Sequence, residues 1–203
     1  RRYTDTTEIF DPAAGSFRPG PRLPVAVDGA AAATLADGSA LVVGGQSSPS
    51  VATATAVLIS PAGTVIVVGS MRHARFKHAA VTLTDGRMLV LGGTPDDVTL
   101  LASTEIYDPS TQEFTDGPVM RTGRYKLAGG VALTSAGEVI IAGGGSGAEV
   151  LNIAAGTTRP LDTVPVVRLS FSTVSVLGRS VRVLGGYDEA IRLTGTDVTV
   201  QLT

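Results

Sequence analysis

Short apolar runs closed by a glycine pair recur four times along the chain, at Ala40-Leu-Val-Val-Gly-Gly45, Met88-Leu-Val-Leu-Gly-Gly93, Val139-Ile-Ile-Ala-Gly-Gly144 and Val181-Arg-Val-Leu-Gly-Gly186. Ahead of the second run, Lys77-His-Ala-Ala-Val-Thr-Leu-Thr84 alternates apolar and polar residues. That period-two pattern marks a half-buried strand. Asp85-Gly86 joins the two stretches and reads as a type I′ hairpin turn; Asp37-Gly38, Ala136-Gly137 and Gly178 stand in the same place in the other units. After each doublet and a loop, a third strand is predicted, best seen in Thr104-Glu-Ile-Tyr-Asp108. Pro109-Ser-Thr-Gln112 turns it into a fourth strand around Glu113-Phe114, which stops at Gly117-Pro118. No stretch sustains a 3.6-residue apolar period with capping residues, so no long helix is expected.

The doublets at Gly44, Gly92, Gly143 and Gly185 stand 48, 51 and 42 residues apart. Self-similarity at such a period means an array of one supersecondary unit. We read the chain as one domain, residues 1–203, with four complete four-stranded units at about 23–71, 72–120, 121–165 and 166–203. Residues 1–22 form an outer half-unit. There, Thr7-Glu-Ile-Phe-Asp-Pro12 followed by Phe17 copies Thr104-Glu-Ile-Tyr-Asp-Pro109 followed by Phe114. These are third and fourth strands without a first and second, so their inner edge is expected to need cover from another polypeptide or a closing strand.

The doublet after a β-run, the aromatic-Asp-Pro turn (Phe10-Asp11-Pro12, Tyr107-Asp108-Pro109), the later aromatic (Phe17, Phe114) and the Met-Arg lead-ins resemble kelch repeats. The likeness is closest to the bacterial and galactose-oxidase-like kind, through Leu83-Thr-Asp-Gly-Arg-Met-Leu-Val-Leu-Gly-Gly93. The family's late tryptophan is replaced by Phe17 and Phe114, and the third and fourth units lack even the aromatic. The resemblance implies an all-β, kelch-type β-propeller with blades arranged around a channel. It also favours a secreted, periplasmic or cell-surface location.

Composition narrows the chemistry. Net charge is −2, so no global basic field draws the chain to nucleic acid. No apolar run nears the ~20 residues that span a bilayer, so no membrane insertion is expected. Arginine outnumbers lysine 14 to 2, a bias typical of high-GC bacterial genomes. Cysteine is absent, which removes thiolate zinc sites and the cysteine–tyrosine cross-link that the galactose-oxidase resemblance would require. His73 and His78, five apart on a strand, point to opposite faces, so no metal and no cofactor is expected. Gly143-Gly-Gly-Ser-Gly-Ala148 formally fits a dinucleotide fingerprint, but Gly156 and Pro160 forbid the helix that it needs. The doublets read instead as places where a neighbouring blade leaves no room for Cβ. Asp11, Asp37, Asp85 and Asp108 sit at turns, where they cap the backbone. No nucleophile–base pair is marked, so no catalytic residue is assigned.

One constellation stands out. Met71-Arg72-His-Ala-Arg75-Phe76-Lys77 and Met120-Arg121-Thr-Gly-Arg124-Tyr125-Lys126 share M-R-x-x-R-aromatic-K, and Arg168-Leu169 takes the place of Arg75-Phe76 in the fourth unit. The first unit has Val27-Asp28 there. Arg72, Arg75, Lys77, Arg121, Arg124, Lys126 and Arg168 are therefore the candidate ligand-binding set, since guanidinium forks suit carboxylates. The other role open to the arginines is pairing with aspartates or carbonyls of a neighbouring blade. The expected function is a non-catalytic scaffold that binds a protein, a second copy, or an acidic or saccharide ligand on its loop-rich face. The rivals are part of a propeller enzyme and a structural spacer in a larger assembly.

Overall fold

The computed structural model describes residues 2–161 and 169–202, and these are all-β with no helix. Three four-stranded antiparallel sheets follow one another, each in simple sequence order. Blade 1 holds β3 (Ala31–Thr34), β4 (Ala40–Val43), β7 (Thr55–Ile59) and β8 (Val65–Ser70); a small hairpin, β5 (Gln46–Ser48) and β6 (Val51–Ala52), rises from its central loop. Blade 2 holds β9 (Ala79–Thr82), β10 (Met88–Leu91), β11 (Thr104–Asp108) and β12 (Glu113–Asp116). Blade 3 holds β13 (Val131–Leu133), β14 (Glu138–Ala142), β15 (Ala148–Asn152) and β16 (Thr157–Leu161). Blade 4 has three strands among the described residues, β17 (Thr173–Leu177), β18 (Ser180–Leu184) and β19 (Asp197–Gln201), where four were expected. β19 pairs with β18 as the third strand, and no fourth strand follows it among the described residues. At the front, β1 (Glu8–Asp11) and β2 (Ser16–Pro19) pair only with each other.

The all-apolar second strand of blade 2 has a direct cause. Met88 and Val90 of β10 pack into a cluster with Leu41, Val43 and Val68 of blade 1, while Leu89 and Leu91 join Leu127, Val139 and Ile141 of blade 3. Successive side chains of a strand point to opposite faces, and both faces here are blade interfaces, so every position is apolar. The first strands β3, β9, β13 and β17 adjoin one another in turn and form the common inner edge.

The hairpin turns differ from the type I′ expectation. In blade 2, Gly86 N–H donates to Leu83 O and Leu83 N–H to Arg87 O, which closes a three-residue loop with Gly86 at φ +87°. Only the glycine is left-handed, the pattern of a type I turn with a bulge. Asp85 adds a side-chain acceptor for the Arg87 N–H.

The doublets sit at equivalent places and all eight glycines have positive φ. A Cβ on Gly92 would stand 2.6 Å from the Arg124 carbonyl oxygen of the next blade, whereas one on Gly185, in blade 4, meets nothing within 4 Å. At the first glycine of a doublet the crowding comes from the neighbouring blade; at the second it comes from the blade's own lead-in, as at Gly186, where a Cβ would stand 2.8 Å from Ser170 O.

Candidate functional site

The segments leading into each first strand share one face with the doublets and the loops between second and third strands; the Asp-Gly turns lie on the other. Two sets of hydrogen bonds recur at all three blade seams on this face. In one set, Gly45, Gly93 and Gly144 N–H donate to the carbonyls of Arg75, Arg124 and Leu169. In the other, Lys77 N–H donates to Gly29 O, Lys126 N–H to Lys77 O, and Phe171 N–H to Lys126 O. Gly29, Lys77, Lys126 and Phe171 are thus equivalent, all at φ between +54° and +67°. Lysine and phenylalanine rarely adopt that conformation, and the repeated seam bonds hold it.

These bonds correct one alignment. Leu169, not Arg168, occupies the position of Arg75 and Arg124, because Leu169 O is the acceptor for Gly144 N–H. The chain was matched on its arginine where the backbone register follows the doublet. Arg168 itself lies outside the described residues.

Arg75 and Arg124 do not face a mouth. Arg75 is fully buried and its five N–H groups are all engaged: with His73 O (3.3 Å), Gly92 O (2.8 Å), Ser103 O (3.0 Å), Ser103 Oγ (3.1 Å) and Glu105 Oε1 (2.8 Å). Glu105 also accepts the backbone N–H groups of Arg72 at 2.6 Å and His73 at 3.1 Å. Arg124 is buried likewise, held by Glu149 Oε1 (2.6 Å) and the carbonyls of Gly143 (2.8 Å), Ser146 (3.0 Å) and Gly147 (3.0 Å). No donor of Arg75 is left for a ligand, so the binding role assigned to this pair gives way to a structural one. The side-chain partners lie within the arginine's own blade, and only the backbone reaches the preceding blade, through the carbonyl and through N–H bonds from Arg75 to Thr53 O and from Arg124 to Leu101 O. Burial lowers the Arg75 pKa, with the Glu105 charge and hydrogen bond acting against it. Beside it His78 is buried, and that burial together with the Arg75 charge lowers its pKa to about 3, so it is neutral near pH 7.

Arg72 and Arg121 are exposed at the outer part of this face. Arg72 pairs with Asp116 at 3.3 Å across exposed side chains. The Arg121 guanidinium has no charged partner among the described residues; its backbone N–H donates to Glu149 Oε2 at 2.7 Å.

The remaining candidates, Lys77 and Lys126, form a ladder with aromatic rings around the inner edge. Lys77 Nζ lies 5.1 Å from the Phe76 ring centre and 5.7 Å from that of Tyr125; Lys126 Nζ lies 5.0 Å from Tyr125 and 5.2 Å from Tyr187. Phe171 continues the row, 5.7 Å from Tyr187 and 46% exposed. Lys77 is paired with Asp97, while Lys126 has no carboxylate partner among the described residues. Burial works to lower the Lys126 pKa, but hydrogen bonding and charge interaction with Tyr187 and Tyr125 outweigh it and hold the pKa above the ordinary lysine value. Sequence reasoning named the two lysines and missed Tyr125, Tyr187 and Phe171 as their partners. The aromatic in M-R-x-x-R-aromatic-K was the available signal.

Comparison with known proteins agrees with this geometry. The Kelch motif family model matches residues 75–121, the span from the Arg75 strut to the lead-in of blade 3. The chain is built of kelch-type β-propeller blades. Among solved structures it is similar to a fungal alcohol oxidase of the AA5 family, determined in complex with copper, at TM-score 0.72 and 17% identity. The match covers 98% of this chain and 44% of that one. No curated protein matches.

This likeness corrects the expectation that the chain is not an enzyme. A neighbour with the same blades is an oxidase, so neither the fold nor the residues read from less than half of such a length argue against catalysis. The donor set here does not fit a copper ion. Among the described residues no three His, Cys, Asp or Glu side chains gather to hold a metal, and His78 is enclosed beside the Arg75 strut.

Proposed function

We propose that the lead-in face binds an anionic saccharide over the Lys77–Lys126 ladder. The observation that carries this reading is the alternation of two ammonium groups with three rings, Phe76, Tyr125 and Tyr187, on consecutive blades, with the exposed Phe171 as a fourth ring beside Tyr187. Asp97 neutralises Lys77, so Lys126 is the cation left to meet a carboxylate. Its partial burial strengthens that attraction. An aromatic face beside a fixed charge suits a flat, C–H-bearing ring with an acidic substituent, the chemistry of a uronic acid.

Titration calorimetry with an oligogalacturonate and an uncharged glucose oligomer of equal length tests this. The charged oligomer should bind more tightly, and less so as salt rises. Lys126→Gln should weaken it by about tenfold or more, the worth of one charge-assisted bond. Phe171→Ala should weaken both ligands. Absence of saturable binding, or binding unchanged in Lys126→Gln, would overturn the assignment.

A further inference from the structure

The half-blade β1–β2 reproduces β11–β12 bond for bond. Thr7 Oγ1 donates to Pro21 O as Thr104 Oγ1 donates to Pro118 O, and Gly20 N–H meets Thr7 O as Gly117 N–H meets Thr104 O. The surroundings differ. Ile106, Tyr107 and Phe114 are 6%, 1% and 8% exposed; their counterparts Ile9, Phe10 and Phe17 are 38%, 51% and 66% exposed. In blade 2, β10 pairs with the inner edge of β11 and places Met88 and Val90 in the cluster that covers Tyr107 and Phe114. Nothing among the described residues pairs with the inner edge of β1.

The decisive residue is Glu8. It occupies the position of Glu105, opposite the second strand, where Glu105 pairs with Val90 in register and receives the Arg75 guanidinium. Glu149 holds the same place in blade 3 and receives Arg124. Glu8 is exposed and has no ion-pair partner among the described residues. Glutamate at this position meets a lead-in arginine in both blades that have one. Where that lead-in register holds an apolar residue, Val27 in blade 1 and Leu169 in blade 4, the facing position is apolar too, Val57 and Val198.

We infer that the free edge of β1 is a docking site for an antiparallel β-hairpin of the β9–β10 kind, coming from polypeptide outside residues 1–203 and carrying an arginine ahead of its first strand. The hairpin would add its second strand to β1 by main-chain hydrogen bonds. Its apolar side chains would cover Phe10 and Phe17, and its arginine would pair with Glu8. This site lies apart from the lysine ladder and does not depend on the ligand proposed there.

The probe is a labelled peptide with the sequence of residues 72–93, titrated against the full chain by fluorescence anisotropy and amide exchange. Saturable one-to-one binding with slowed exchange within Glu8–Asp11 is expected. Glu8→Gln should weaken it about tenfold, and a peptide carrying Arg75→Met should lose that difference, because one charge-assisted contact is at stake. Should the free peptide associate with itself, the same segment fused through a flexible linker ahead of Arg1 replaces it. The fusion should then melt higher than the same fusion carrying Glu8→Gln. Binding or melting indifferent to Glu8→Gln overturns the inference. So does a concentration-dependent dimer that protects Glu8–Asp11 without peptide, which would make a second copy the occupant.

Discussion

Blades 2 and 3 contrast with blades 1 and 4 at one pair of positions. The first two bury an arginine and a glutamate, Arg75 with Glu105 and Arg124 with Glu149, while the others place Val27 with Val57 and Leu169 with Val198 there. The backbone is indifferent to the exchange. Gly144 N–H finds Leu169 O at 2.6 Å just as Gly93 N–H finds Arg124 O at 2.6 Å. What the seam requires is a carbonyl at this point, and the side chain beneath it can be an ion pair or a hydrocarbon, provided both members change together. Even the shape of a loop follows from the choice. The Gly143-Gly-Gly-Ser-Gly147 segment that mimics a dinucleotide fingerprint turns three carbonyls onto Arg124.

The most damaging way to break this comparison is to remove half a pair. Arg124→Ala should destabilise the chain by about 3–5 kcal/mol in urea unfolding, since a buried carboxylate is left without its cation. Importing blade 4's solution into blade 3, with Arg124→Leu and Glu149→Val together, should recover about 3 kcal/mol of that loss, because well-packed apolar pairs replace buried ion pairs at little net cost. A double mutant as unstable as Arg124→Ala would show that the loop carbonyls, not Glu149, dominate.

A smaller effect separates blade 2 from blade 3 through pH. His78 has a folded-state pKa of about 3, below its ordinary 6.5, so its stabilising contribution is present above pH 6.5 and is lost as pH falls toward 3. Between pH 6.5 and 4.5 that loss is about 2 kcal/mol. His78→Leu, which copies Leu127 at the equivalent position in blade 3, should remove that part of the slope in melts across this range. The smallest effect belongs to the surface. Arg72→Ala breaks an exposed pair with Asp116 and should change stability by less than about 1 kcal/mol in the same melts.

Much of the architecture was legible because its signals are local. The doublets, the Asp-Gly turns and the Thr-Glu-Ile-aromatic-Asp-Pro copies each reflect a backbone need that one residue type meets. The destination of the arginines was not legible, because M-R-x-x-R-aromatic-K reads alike whether a guanidinium meets a ligand or a buried glutamate thirty residues on. A trace was present all the same. Glu105 and Glu149 stand in strands whose neighbours are wholly buried, where an acidic residue needs a partner, and units without the arginine lack the glutamate too. Arg168 misled because residue type was matched ahead of register.

The two seam bonds run in opposite senses. Along the inner row the later blade donates to the earlier, from Lys77 to Gly29, Lys126 to Lys77 and Phe171 to Lys126, while at the doublets the earlier donates to the later. Each junction therefore joins segments no more than about one repeat apart in the chain and needs nothing further downstream. During synthesis a blade can lock onto its predecessor as soon as its own lead-in has emerged, so assembly proceeds as a ratchet from the N-terminal side, one seam at a time.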